Sequence, residues 1–202
     1  KLTIEISTDT VAAIDRRYWS FAGDTLHLSS PALLPVPTDL TDGQVLAHAI
    51  ASALARRVLR EALQKSDIPL VWQPITQGMS WSLTWGWDGS SLPSVWRYDL
   101  ERQLSRTVQS AAPRLNDVAA NRSAPVQKAI WPTEWVRIKA AETVIAYIMH
   151  TYGRQQMSAL TNGISRHTSW ETLVPAVFGV TASEFETGWQ AYLLARYGNS
   201  SE

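Results

Sequence analysis

The chain has 202 residues, enough for one sizeable core, and its 45% hydrophobic and 18% charged residues are an ordinary globular balance. Eighteen basic and eighteen acidic residues cancel, which leaves no global field to recruit nucleic acid or anionic lipid. With no cysteine, disulfides, thiolate metal sites and cysteine nucleophiles are excluded together, and no apolar run reaches the roughly 18 residues that a membrane-spanning helix needs.

Leu2 to Ser7 alternates apolar and polar residues, and Asp24 to Ser29 does so again after Gly23, the pattern of half-buried strands. Three prolines between Pro31 and Pro37 require an extended connection. Thr41-Asp42-Gly43-Gln44 fits a capping box that opens a helix from Val45 to about Leu63, with Leu46, Ile50, Ala53 and Leu54 on its apolar face. Arg56, Arg57 and Arg60 in its C-terminal half suit the helix dipole and read as a solvated face. After Asp67-Ile68-Pro69, Pro74 fits the first turn of a second helix running to about Trp85, followed by a turn at Gly86 to Ser91.

A third helix is expected from Val95 to about Ala111, and prolines break Pro113 to Pro132. Glu134 to Thr151 reads as an apolar helix closed by Tyr152-Gly153. A shorter one, Gln155 to Leu160, is expected to close at Asn162-Gly163. Capping boxes at Thr168 to Glu171 and Thr181 to Glu184 open two more helices, which end near Phe178 and Tyr197. The expected class is α+β, mainly helical: a small N-terminal sheet followed by a helical core, in one domain over 1–202. The chain opens on Lys1 in strand-like sequence with no signal-peptide pattern, so it reads as a fragment of a longer protein.

The most informative segment is Leu46-Ala47-His48-Ala49-Ile50-Ala51-Ser52-Ala53-Leu54. In a His-Glu-x-x-His helix two histidines one turn apart face one zinc, and the glutamate acts on the metal-bound water. Downstream of Pro69 lies Trp72-Gln73-Pro74-Ile75-Thr76-Gln77-Gly78-Met79-Ser80. The C-terminal part holds an apolar helix ending in Tyr152-Gly153 and the segment Glu184-Phe185-Glu186-Thr187-Gly188-Trp189. Together these frames resemble the peptidase-MA-like gluzincins, and the resemblance covers most of the chain.

The resemblance implies a zincin-like helical core with its chemistry removed. It keeps the first ligand as His48, but sets Ala49 in place of the general base, Ser52 in place of the second histidine, and Gln77 in place of the ligand glutamate. Alanine cannot move a proton, and a hydroxyl with a neutral amide does not replace imidazole and carboxylate. No catalytic residue, no bound metal and no cofactor are therefore expected. The implied function is that of a pseudoenzyme: a non-catalytic binding or structural module of a larger exported or membrane-anchored protein. Its partner would be a protein, peptide or glycan.

Two other readings stay open. One is an active hydrolase with a relocated site, for which Glu142 with His150 is the candidate pair; otherwise Glu142 pairs with Arg137 or Lys139. The other is an extracellular glycan- or peptide-binding module. The chain has ten tryptophans, and Trp72, Trp81, Trp85, Trp87 and Trp96 gather around the second helix as a possible cleft lining. The same rings read equally as core filler.

Overall fold

The computed structural model describes residues 2–7, 19–30, 41–63, 69–88, 94–119 and 130–198; within these, the side chains of residues 19–20, 48, 84–88 and 94–98 lie outside the description. The chain is α+β and mainly helical, with a three-stranded sheet at its N-terminal end. β1 (Thr3–Ser7) runs parallel to β3 (Thr25–Ser29), and β2 (Trp19–Ala22) runs antiparallel to β3 on its other side. The alternation foreseen for the third strand is present: Leu26 and Leu28 are fully buried while their neighbours are not. The first strand is a correction: residues 3–6 are all exposed, so neither face of β1 is buried. β2 was not foreseen, because four residues are too few to show a period. Gly23, at φ +59°, supplies the backbone conformation that turns β2 into β3.

α1 (Asp42–Ala62) begins at the expected capping box: Gln44 N–H donates to Thr41 Oγ1 at 3.3 Å, and Thr41 N–H donates back to Gln44 Oε1 at 2.9 Å. A 3₁₀ turn, Leu70–Trp72, leads into α2 (Gln73–Asp88). This helix passes through Gly86, so the turn expected from Gly86 is corrected; residues 89–91 lie outside the described residues. An interior glycine costs a helix about 1 kcal/mol, which a long helix absorbs.

α3 (Ser94–Ser110) and the short α4 (Leu115–Val118) follow, and α5 (Glu134–Thr151) ends with Gly153 at φ +87°, as expected. α6 (Gln156–Ile164) continues through Asn162 and Gly163 rather than stopping at them. Gly163 serves packing: a Cβ there would lie 2.6 Å from Leu173 Cδ1 and 2.8 Å from Val177 Cγ2. α7 (Trp170–Phe178) is capped at Ser169 and not at Thr168, and the Ser169 side chain makes no capping hydrogen bond. α8 (Ala182–Tyr197) carries the expected Thr181 and Glu184 box.

Among the described residues, apolar side chains gather in two clusters. The larger joins α2, α3 and α5 to α8 around Trp72, Ile75, Leu104, Ile145, Trp170, Phe185 and Trp189. The smaller lies between the sheet and α1, where Leu26, Leu28 and Ala53 are fully buried and Phe21, Leu46, Ala49 and Ile50 pack around them. Gly188 shows how close the larger core is, since a Cβ there would meet Tyr147 Oη at 2.1 Å. Gly188→Ala is expected to cost about 1–3 kcal/mol in urea unfolding. Tyr147→Phe in the same chain should recover part of that loss. Equal losses in the single and double variants would show that the two residues do not meet. Among the described residues no helix is long and apolar enough to cross a membrane.

Candidate functional site

α1 is two-faced, and that fixes where its chemistry-bearing positions lie. Leu46, Ala49, Ile50 and Ala53 face the sheet. Positions 48, 52, 55 and 59 follow at i, i+4, i+7 and i+11, so they form one stripe on the opposite side. Leu59 and Leu63 at the end of that stripe belong to the helical core, and α1 packs against α2. Ser52 is half-buried on this stripe, position 48 lies one turn before it, and the His48 side chain lies outside the described residues. Ala49 contributes a methyl group to the sheet cluster.

Gln77 sits in α2, half-buried, and its Oε1 is buried with no hydrogen-bond donor among the described residues. An amide oxygen without a donor forfeits the full cost of its desolvation, about 1–3 kcal/mol, so native chains rarely leave one in place. Trp81 stands one turn further along the same stripe of α2. Its ring stacks on Trp135 of α5, with centroids 5.7 Å apart and planes inclined by 10°. Trp135 is 51% exposed, which makes the pair an aromatic surface beside Gln77.

Sequence reasoning missed Trp135, because it lies 54 positions from Trp81 and α-helical periodicity says nothing about partners that distant. One signal was present. Trp135 stands off the α5 face formed by Val136, Ala140 and Val144, where a core ring would belong.

Of the five tryptophans foreseen as a cleft lining, the two with described side chains, Trp72 and Trp81, differ in placement. Trp72 is a correction: it is fully buried in the core, its indole N–H donates to the carbonyl of His167 at 2.6 Å, and its ring meets Trp170 edge-on at 4.8 Å. Trp81 is partly buried and packs against the same core. The side chains of Trp85, Trp87 and Trp96 lie outside the described residues.

The relocated acid and base are not brought together either. Glu142 Oε2 accepts from Lys139 Nζ at 2.6 Å, the pairing that the sequence offered as its ordinary role. Lys139 is itself buried and also lies 3.9 Å from Glu101 of α3. Burial pushes the nearby Tyr197 phenol up to about 12; the charge of Arg196 opposes this, while those of Glu142 and Glu101 add to it. His150 is exposed eight residues on, about 12 Å along the helix axis, with its ring beside Tyr192. His27 pairs with Glu5 at 3.1 Å on the sheet. Among the described residues no three His, Asp or Glu side chains gather in a way that could hold a metal ion.

No family model, no curated protein and no solved structure matches the chain.

Proposed function

We propose that the chain is a non-catalytic, peptidase-like domain in which the α1 and α2 frame of a zinc site persists without its donor set. It serves as a binding or structural module of a larger exported or membrane-anchored protein. The observation that carries this reading is Gln77: in the frame where the peptidase-MA-like families place a ligand carboxylate, a neutral amide turns a buried oxygen inward with nothing among the described residues to accept from. Its support is the α1 stripe, where position 48 and Ser52 lie one turn apart on the side away from the sheet cluster, in a helix that packs against α2. A buried amide oxygen without a donor costs about 1–3 kcal/mol, so its presence in this frame asks for a reason other than stability.

The test rebuilds the ligands and leaves the general base absent. Ser52→His with Gln77→Glu, on the retained His48, supplies the two histidines and one carboxylate that a zinc site needs. Calorimetric zinc titration should show stoichiometric binding by the double variant at least 100-fold tighter than by the parent chain, with no peptide hydrolysis, because Ala49 cannot act as base. Tight binding by the parent chain would sink the idea of a lost site. A folded double variant that binds no better than the parent would show that positions 48, 52 and 77 do not share a frame.

A second reading has one observation behind it. Trp135, exposed and stacked on the partly buried Trp81, offers an aromatic ring of the kind that takes a sugar ring or a peptide side chain. It makes the aromatic pair the contact surface of the same module.

A further inference from the structure

We propose that the three-stranded sheet is a releasable leaf that opens from α1 without unfolding the helical body, and that Arg57 is its latch. The inference rests on the separation of the two apolar clusters and is independent of the zinc-site reading. The clusters share no residue, and α1 borders both. Its sheet-facing side carries Leu46, Ala49, Ile50 and Ala53, and its other side carries Leu59 and Leu63. Losing the sheet therefore leaves the contact between α1 and α2 whole.

Among the described side chains, little apolar area holds the leaf down. Leu26 and Leu28 of β3 are its fully buried side chains, while Leu2, Ile4 and Ile6 of β1 are 39%, 43% and 51% exposed. β1 thus adds a hydrogen-bonded ladder to β3 and no fully buried side chain. In place of area there is Arg57. Its guanidinium donates to Asp24 Oδ1 at 2.7 Å and to the Gly23 carbonyl at 3.3 Å, and it lies 5.1 Å from the centre of the Phe21 ring. Glu61, one turn along α1, accepts from Arg57 Nε at 2.9 Å and orients the fork toward the hairpin.

All three contacts with the leaf fall at the β2 to β3 hairpin, and the basic residue foreseen as part of a solvated face is the one that grips it. Regions held by few buried contacts open at lower free energy than the global core, as separate cooperative units. Opening uncovers Leu46, Ala49 and Ile50, the side of α1 opposite the stripe that carries Ser52.

Hydrogen exchange on the full chain, read by mass spectrometry, tests this. Amides of β3 are expected to exchange together, faster than those of Val144 to Ile148 in α5. Arg57→Gln should speed exchange in the sheet about three- to tenfold and leave α5 and α8 unchanged. Asp24→Asn should reproduce part of that increase. Three outcomes would overturn the proposal: sheet amides that exchange only at the rate of the α5 core, an Arg57→Gln variant in which α5 accelerates as much as the sheet, or one that fails to fold at all.

Discussion

Trp72→Ala is expected to lower the unfolding free energy by about 3–5 kcal/mol, the range for removing a fully buried aromatic ring. The loss has two parts. The first is the ring itself, which lies edge-on against Trp170 at 86° with no exposed surface. The second is its N–H, which satisfies the carbonyl of His167 at the end of α6, before α7. Trp170 in turn donates to the carbonyl of Leu115, so two indoles tie the entry to α2 to the loops before α7 and around α4. Trp72→Phe keeps most of the ring and drops the donor, and should fall between the parent and Trp72→Ala. Urea unfolding should therefore rank parent, Trp72→Phe and Trp72→Ala in that order, with Trp81→Ala milder than Trp72→Ala because Trp81 keeps one side exposed. A Trp72→Ala loss below about 1 kcal/mol would place the ring on the surface, as the cleft reading required.

That contrast shows how far the sequence could be read. Thr41 with Gln44 and Thr181 with Glu184 announced two helix starts correctly, because a capping box is local chemistry and needs no tertiary partner. Thr168 failed where Ser169 capped, since the two hydroxyls are adjacent and the pattern alone does not choose between them. Asn162 and Gly163 looked like a helix stop, yet Gly163 is small so that α7 can approach. Whether a glycine ends a helix or admits a neighbour depends on what lies across from it. Trp72 and Trp81 were grouped by proximity in the chain, but the 3₁₀ turn sends the first inward while the α2 stripe brings the second to Trp135. That positions 48 and 52 lie one turn apart on α1, with Gln77 on the next helix, was legible as spacing. The orphaned oxygen of Gln77 was not, because satisfaction of a polar atom is a property of its surroundings.

Gly78→Ala should destabilise the chain by about 2–3 kcal/mol, although helix propensity alone predicts a gain of nearly 1 kcal/mol from the same change. The sign turns on what a new methyl group would meet. A Cβ at position 78 would lie 2.7 Å from the backbone nitrogen of Glu142 and 2.8 Å from the carbonyl carbon of Ala141, both in α5. Backbone atoms inside a helix cannot rotate aside as the end of a long side chain can, so α2 and α5 must separate. Ile75 and Met79 on α2, and Ala141, Val144 and Ile145 on α5, then lose contacts that dense packing had supplied. Gly43→Ala is the matched control: it lies in the first turn of α1 with nothing within 4 Å of the added carbon, and it should stabilise the chain slightly. Ala141→Gly should fail to rescue Gly78→Ala, since it removes the 3.1 Å contact with Ala141 Cβ and leaves both backbone contacts in place. Full rescue would mean that side chains set the spacing between the helices. Failure of rescue would fix it at the main chain, where Gly78 lets α2 come close to α5.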